Sequence, residues 1–280
     1  MKMKFTNWRQ SKNVEVKFRR YLNKISDMFV RNVKGVTDPD KFRDIMLKIQ
    51  GSKEYNDYVD YCVRQMVGGV VKQNVRTWRE AAKKAMKSYQ VYTALQQELQ
   101  NGLNLAIEEQ IVANSLLIKT LPSDTAEKVV KNITDLSYKG MRASEIAKVI
   151  EKETRKHSRA SAKLIARTEV SKSTTALTRA RSENVGINWY IWRTALDGDR
   201  VRKAHRNMEG VLVNWNDPPS PEKLVGEKPV GNYHAGNIWN CRCYPEPVVE
   251  PDWLPNRVKV YHDGQIEAMG KLQFIERFIK

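Results

Sequence analysis

The chain has no proline between Pro39 and Pro122, and this gap is the strongest single constraint on its fold. Proline inside a helix removes a backbone hydrogen bond and breaks the helix, so a gap of this length permits long uninterrupted helices. Within the gap, the stretch EYNDYVDYCVRQMV repeats apolar side chains at helical spacing, with basic residues on the other side. The sequence therefore predicts helices over about residues 8–115.

The positive charge is concentrated at the N-terminal end. Residues 1–90 contain 21 Lys and Arg against 9 Asp and Glu, whereas the rest of the chain contains 28 against 23. A local surplus of this kind is typical of proteins that contact a polyanion, and nucleic acid is the first candidate. A basic helical surface that only faces solvent has the same composition, so charge alone leaves both explanations open.

The cysteines and the N-terminal residues indicate the compartment. Three cysteines among 280 residues do not make a disulfide framework. Cys62, within the helical stretch, is predicted to be a small buried apolar residue. The start MKMKFTNWRQ has no signal-peptide pattern, and no apolar run approaches the roughly 20 residues of a membrane span. We therefore expect folding in a reducing cytoplasm and no membrane partner.

The character of the sequence changes at Gly186. Before it, capping residues such as Ser144 and the terminal glycine itself predict a helical hairpin followed by a long helix. After it, INWYIWRT and VLVNW are rich in aromatic and β-branched residues and predict strands, and CRCYPEPVV follows as a third extended segment. The expected fold class is α+β, with mostly α-helical N-terminal two-thirds and a small C-terminal α+β module.

The stretch HAGNIWNCRC places two cysteines two residues apart. On a strand such residues share a face, so Cys241 and Cys243 form a chelating pair of thiols, and zinc is the soft metal that suits them. The nearby residues of the right type are His205 and His234. A structural zinc bound by these four residues would tie helix, loop and strand together. Two buried thiols beside hydrogen-bonded histidines remain the alternative.

Catalytic sites match the sequence less well. A Cys–His nucleophile would need an oxyanion hole that nothing in the sequence marks. A metal-dependent nuclease would have to draw its His/Asn set from His205, His234, Asn237 and Asn240, at poor spacing. The Arg/Ser/Glu set of an ADP-ribosyltransferase is superficially similar to Arg167, Thr168, Glu169, Ser171, Ser173 and Glu183. Those enzymes carry the set on strands, whereas this stretch is predicted to be helical.

Four motifs follow one another between about residues 135 and 249. LSYKGMRASEIAKVI comes first, and AKLIARTEVSKSTTALTRAR follows with Arg167, Thr168 and Glu169. The tryptophan strand then leads into D-R-x-R-x-x-H-x-x-x-x-G, which is matched by Asp199, Arg200, Arg202, His205 and Gly210. NCRCYPEPV closes the series with Asn240, Cys241, Arg242 and Cys243. In this order the motifs resemble the phage Mu F-like minor head proteins, also called phage head morphogenesis proteins.

The resemblance implies a part of a virion and not an enzyme. Such proteins join the procapsid in few copies, associate with the portal protein and stay in the virion interior, after assembly in the host cytoplasm. Scaffold or major capsid protein are further candidate partners, and double-stranded DNA would be bound without sequence preference. Some relatives carry cysteines where this chain has Arg202 and His205, which implies a metal role for that corner.

The residue patterns and the resemblance together suggest how the chain is divided. Residues 1–120 would form a basic helical region, and residues 121–250 the head morphogenesis domain, helical over 121–186 and α+β over 187–250. Residues 251–280 would form a tail helix with Ile266, Met269, Phe274 and Phe278 on its apolar face, docked on the core or, alternatively, on the portal. Two other classes stay open: a metal-dependent nuclease or ADP-ribosyltransferase-like enzyme, and a host basic nucleic-acid-binding protein.

Overall fold

The computed structural model describes residues 7–84, 93, 97, 103–137, 141–195 and 201–279 of the chain. The α-helices introduced here are α1 Lys12–Asn32, α2 Pro39–Gly51, α3 Lys53–Ala82, α4 Asn104–Lys119, α5 Leu121–Ser137, α6 Ala143–Asn184, α7 Lys203–Asn207 and α8 Lys271–Phe278. The strands are β1 Trp189–Arg193, β2 Val211–Asn214, β3 Tyr244–Pro247, β4 Arg257–His262 and β5 Gln265–Gly270. The α+β fold class, with helices first and a C-terminal sheet, is confirmed.

The chain divides into two compact units, each built from separate stretches of sequence. The helical unit comprises Lys12–Gly69 and Glu108–Glu169. The mixed unit comprises Met1–Ser11, Val70–Ile107 and Val170–Lys280. The domain boundaries at about residues 120 and 250 stay a prediction, because compactness alone does not establish which stretch folds by itself.

The core of the helical unit is formed by the apolar stripes that the sequence predicts. On α3, the side chains of Cys62, Val63, Met66 and Val67 are all buried, which confirms the prediction for Cys62. The helix α2 packs against α5. The Tyr55 hydroxyl donates a hydrogen bond of 2.6 Å to the carbonyl of Ile118, so a buried polar group is satisfied where α3 and α4 meet.

The mixed unit contains a five-stranded sheet in the order β3-β1-β2-β4-β5. The pair β2–β4 is parallel, and the other neighbours are antiparallel. Side chains alternate between the two faces of β1, so Tyr190 and Trp192 enter one core and Trp189 enters another. The predicted strands INWYIWRT and VLVNW are confirmed, and the first of the two cores contains both Cys241 and Cys243.

The prediction of a tail helix over residues 251–280 is wrong for most of that segment. The strands β4 and β5 form a hairpin, and β4 also pairs with β2, so the segment completes the sheet. The turn is made by Asp263 (φ 48) and Gly264 (φ 78). An Asp-Gly pair with positive φ at both residues matches the twist of a two-residue hairpin. This pair was the sequence signal that the helical interpretation overlooked.

The short helix α8 ends the chain on the second core of the mixed unit. Phe274 is fully buried, and its ring lies 5.1 Å from that of Trp189 in an edge-to-face arrangement. The ring of Phe278 lies 5.2 Å from the same tryptophan. Of the two roles expected for this apolar face, docking on the core of the chain itself is therefore the one observed.

Replacing Phe274 with leucine is expected to lower the free energy of unfolding by about 1.5 kcal/mol, because the leucine leaves part of the ring volume empty. Leu272, on the same helix, is 72% exposed. L272A is the matched control and is expected to change stability by less than about 0.5 kcal/mol. Urea denaturation measures both values, and equal effects would contradict the assignment of α8 to the core.

Candidate metal centre

Three of the four predicted metal ligands meet in the first core of the mixed unit. His205 lies on α7, and Cys241 and Cys243 lie in the segment that leads into β3. The Nδ1 atom of His205 is 3.6 Å from Sγ of Cys241 and 3.4 Å from Sγ of Cys243. All three side chains are buried, and their donor atoms lie within 4.8 Å of one another. Two sulfurs and one imidazole nitrogen therefore surround a single point.

Two residues with left-handed backbone conformation place these side chains. Gly210 (φ 76) follows α7, and its N–H donates to the carbonyl of Trp192 at 2.9 Å, which fixes the short helix to β1. Asn240 (φ 55) turns the chain immediately before Cys241. Glycine and asparagine adopt this conformation at the lowest cost. Backbone geometry thus accounts for Gly210 and Asn240 of the two sequence motifs.

The cysteine pair precedes β3 and is not part of it, since the strand begins at Tyr244. The backbone N–H of Cys243 donates to Sγ of Cys241 at 3.3 Å. This hydrogen bond turns the backbone around the Cys241 thiol. The sequence had predicted an extended backbone for this segment. Both thiols nevertheless enter the same core, beside Trp192 and Met208.

A buried hydrogen-bond chain holds the far side of the His205 ring. The Nε2 atom of His205 is 2.9 Å from the hydroxyl of Tyr233. That hydroxyl donates in turn to Oε1 of Glu222, at 2.6 Å. Because the tyrosine proton goes to the carboxyl group, the hydroxyl oxygen accepts from Nε2–H. The Nδ1 lone pair of His205 therefore points toward the two sulfurs.

The two thiols shift each other's pKa in opposite directions. The hydrogen bond with Cys243 lowers the pKa of Cys241, with burial opposing and His205 adding to the effect. The same pairing, together with burial, raises the pKa of Cys243. Cys241 is therefore the thiol that ionises first, and the thiolate is the form that binds a metal ion.

His234, the fourth predicted ligand, lies outside the cluster. Its Nδ1 atom is 3.2 Å from the Tyr190 hydroxyl, and its ring lies 5.2 Å from that of Trp215. Burial, with a smaller contribution from Arg179, lowers the pKa of His234 to about 4, so the ring is neutral near pH 7. Tyr190 and Trp215 hold this histidine in a neighbouring part of the core, and a site with four protein ligands that includes it is not formed.

The loop that carries His234 is anchored to α6 at Gly236. The Thr175 hydroxyl donates to the carbonyl of Ala235 at 2.7 Å. Gly236 has φ 84, and a Cβ atom there would lie 2.7 Å from Oγ1 of Thr175 and 2.8 Å from the carbonyl oxygen of Cys243. Only glycine allows this close approach between the loop, the helix and the cysteine segment.

Glu222, Tyr233 and Gly236 were not identified from the sequence. A glutamate and a tyrosine in a proline-rich loop are usually exposed, so nothing marked the first two as buried partners of a histidine. A glycine directly after His234 and Ala235 was the one available signal for a tight approach.

The other motif residues that the structure describes lie in several different places. Thr168 and Glu169 are buried on α6 in the helical unit, and Arg167 lies 3.8 Å from the carboxyl group of Glu15 in that unit. Arg202 donates to the carbonyl of Trp239 at 2.9 Å, and its guanidinium group lies 5.5 Å from the ring of that tryptophan. Arg242, which lies between the two cysteines in the sequence, is half-buried. Asp199 and Arg200 lie outside the described residues.

Neither alternative catalytic set is assembled as its chemistry would require. Asn237 and Asn240 are exposed, whereas His205 and His234 are buried in separate surroundings. The segment from Arg167 to Glu183 forms a single helix, so its Arg, Ser and Glu side chains are not presented on strands.

Comparison with known proteins matches residues 127–245 to a family described as Phage Mu protein F like protein. An uncharacterised protein of Haemophilus influenzae is similar to this chain, with 32% identity over 154 residues. The alignment covers 54% of this chain and 32% of the relative, so the chain spans about a third of that relative's length. No solved structure matches the chain. The resemblance inferred from the motifs is confirmed over the matched residues.

Proposed function

Because residues 127–245 form a phage Mu F-like region, we propose that this chain is a minor head protein of a tailed phage or prophage. The observation that carries the proposal is the family match, which includes both the α6 motif and the cysteine pair. In this role the protein joins the assembling procapsid in few copies and contributes to head morphogenesis.

We propose a structural role and no catalytic one. His205, Cys241 and Cys243 are at most 4% exposed, so a substrate would not reach their atoms without opening the mixed unit. The Tyr233 hydroxyl and the Glu222 carboxyl group hold His205 in one orientation, which favours a rigid corner.

The proposed partners are the portal protein and packaged double-stranded DNA, with scaffold or major capsid protein as further candidates. The proposed location is the virion interior, after assembly in the host cytoplasm. The cationic surplus of residues 1–90 supports contact with DNA, because a head filled with DNA presents a dense array of phosphates. Among the described helices, none is both long enough and apolar enough to cross a membrane.

Procapsids assembled with and without portal protein test this proposal. We expect mass spectrometry to find a few copies of this chain per particle when portal is present and a near-complete loss when portal is omitted. The major capsid protein of the same particles serves as the internal standard, since its amount per particle does not depend on the portal.

Two results would contradict the proposal separately. An unchanged copy number without portal would remove the portal from the list of partners. Absence of the chain from both kinds of particle would overturn the virion role itself and favour a host nucleic-acid-binding protein.

A further inference from the structure

The distances from the His205 nitrogen to the two cysteine sulfurs match those of a tetrahedral zinc site. Zinc lies about 2.3 Å from a thiolate sulfur and about 2.0 Å from an imidazole nitrogen, and tetrahedral angles then separate sulfur from nitrogen by about 3.5 Å. The two distances from Nδ1 to the sulfurs are 3.4 and 3.6 Å. The chain therefore already has the nitrogen-to-sulfur geometry that the metal requires.

Hydrogen bonding alone leaves one of the two sulfurs without a bond to the imidazole. The neutral imidazole has one lone pair at Nδ1, because its single proton lies on Nε2 and is donated to Tyr233. Only one thiol can donate to that lone pair, and the other can donate only to the sulfur of its neighbour, although both sulfurs lie at nearly the same distance from Nδ1. A cation at their common centre uses the lone pair and both sulfurs at once.

The surroundings of the three residues also fit a metal ligand set. In a metal-binding histidine, the N–H of the second ring nitrogen usually donates a hydrogen bond to an oxygen atom that is itself held in place. Here that oxygen belongs to the Tyr233 hydroxyl, which donates to the Glu222 carboxyl group. The backbone N–H of Cys243 donates to Sγ of Cys241, which stabilises negative charge on that sulfur. Two thiolates and one neutral imidazole form a soft donor set that selects zinc over hard cations.

We propose that His205 Nδ1, Cys241 Sγ and Cys243 Sγ bind one zinc ion, with His234 excluded. This site lies beyond the proposed virion role and can be tested on the isolated protein. The metal joins α7 to the segment before β3 and so holds the long loop between them in place.

Metal analysis of the full chain, purified without chelator from zinc-supplemented cells, is the first test. We expect about one zinc per chain. Replacement of the zinc by cobalt(II) should give a thiolate-to-cobalt charge-transfer band and the intense visible bands of tetrahedral coordination. Less than about 0.2 zinc per chain would overturn the proposal, because a structural site is filled nearly stoichiometrically.

Matched variants identify the ligands. C243S should lose the zinc and the charge-transfer band, whereas C62S, which alters a buried thiol of the helical unit, should keep both. H234Q should also keep a full complement of zinc. Loss of zinc in H234Q, or retention of it in C243S, would overturn the assignment of the three ligands.

A variant that changes only the orientation of His205 keeps the proposal testable if C243S does not fold. Y233F retains all three ligands and removes only the hydroxyl that orients His205. In a chelator competition its zinc affinity should fall by about 10- to 100-fold while its circular dichroism spectrum stays unchanged. An affinity equal to that of the unmodified chain would contradict a metal bound through Nδ1 of this histidine.

Discussion

Replacing Gly236 with alanine is expected to lower the free energy of unfolding of the mixed unit by about 4 kcal/mol. The new Cβ atom would lie 2.8 Å from the carbonyl oxygen of Cys243, a backbone atom that cannot rotate away. It would also approach the hydroxyls of Thr175 and Ser171 at 2.7 and 2.9 Å, and it would sit at φ 84, where side chains are strained. Relief of the clash must move either α6 or the cysteine segment.

Gly210 provides the control for this prediction. Its φ of 76 is similar, but a Cβ atom there would meet no atom within 4 Å. G210A should therefore show only the backbone cost, about 1 kcal/mol. Urea denaturation followed by tryptophan fluorescence measures both variants, since Trp192 and Trp215 lie in the same core. Equal losses in the two variants would show that the close approach at Gly236 contributes nothing.

The sequence was a good guide wherever a local pattern decides the structure. The apolar stripe around Cys62 defined a buried helix face, and the aromatic run INWYIWRT defined β1, because helical and strand periodicities are set by the backbone itself. Gly186 was predicted to end the long helix, and it has the positive φ of a C-terminal glycine. The second helix of the predicted hairpin is not separate, however, because α6 runs from Ala143 to Asn184 as one helix. The cysteine pair identified the corner where the donor atoms of His205, Cys241 and Cys243 come together.

The sequence was a poor guide where distant segments decide the structure. Nothing local indicates that β4 lies beside β2, because parallel pairing joins residues far apart in the chain. His234 was chosen as a ligand because it lies near Cys241 in sequence, yet Tyr190 on β1 and Trp215, directly after β2, hold it elsewhere. Glu222 and Tyr233 became partners of His205 only through the folding of the proline-rich loop.

Part of the positive charge of residues 1–90 lies along one side of a helix. Lys72, Arg76, Arg79 and Lys83 are all exposed, and their spacing of three and four residues places them on one side of α3 and its last turn. The backbone N–H of Lys83 donates to the carbonyl of Arg79 at 3.1 Å, so the helical spacing extends to the fourth residue. We call these four residues the basic stripe. A row of cations on a straight helix can contact successive phosphates of a DNA backbone.

We expect the full chain to bind duplex DNA without sequence preference, and its affinity to fall by about 1,000-fold between about 50 and 200 mM salt. Each phosphate contact releases condensed counterions, so the logarithm of the binding constant falls linearly with the logarithm of salt concentration. Replacing all four residues of the basic stripe with glutamine should reduce the magnitude of that slope by about 3 to 4. Fluorescence anisotropy with two unrelated duplexes of equal length measures affinity, slope and sequence preference together.

A second quadruple variant separates the position of the charges from their number. Four exposed lysines of the same mixed unit do not share a helix: Lys203 lies on α7, Lys259 lies on β4, and Lys223 and Lys228 lie in the loop between β2 and β3. Replacing them with glutamine removes the same total charge.

If net charge alone attracts DNA, both variants lose affinity and slope equally, because long-range attraction depends little on where the charges lie. If the basic stripe makes the phosphate contacts, the control keeps most of the slope, since each contact contributes its own counterion release only where a cation meets a phosphate. A salt response that is flat in the unmodified chain would contradict both explanations and remove DNA from the proposed partners.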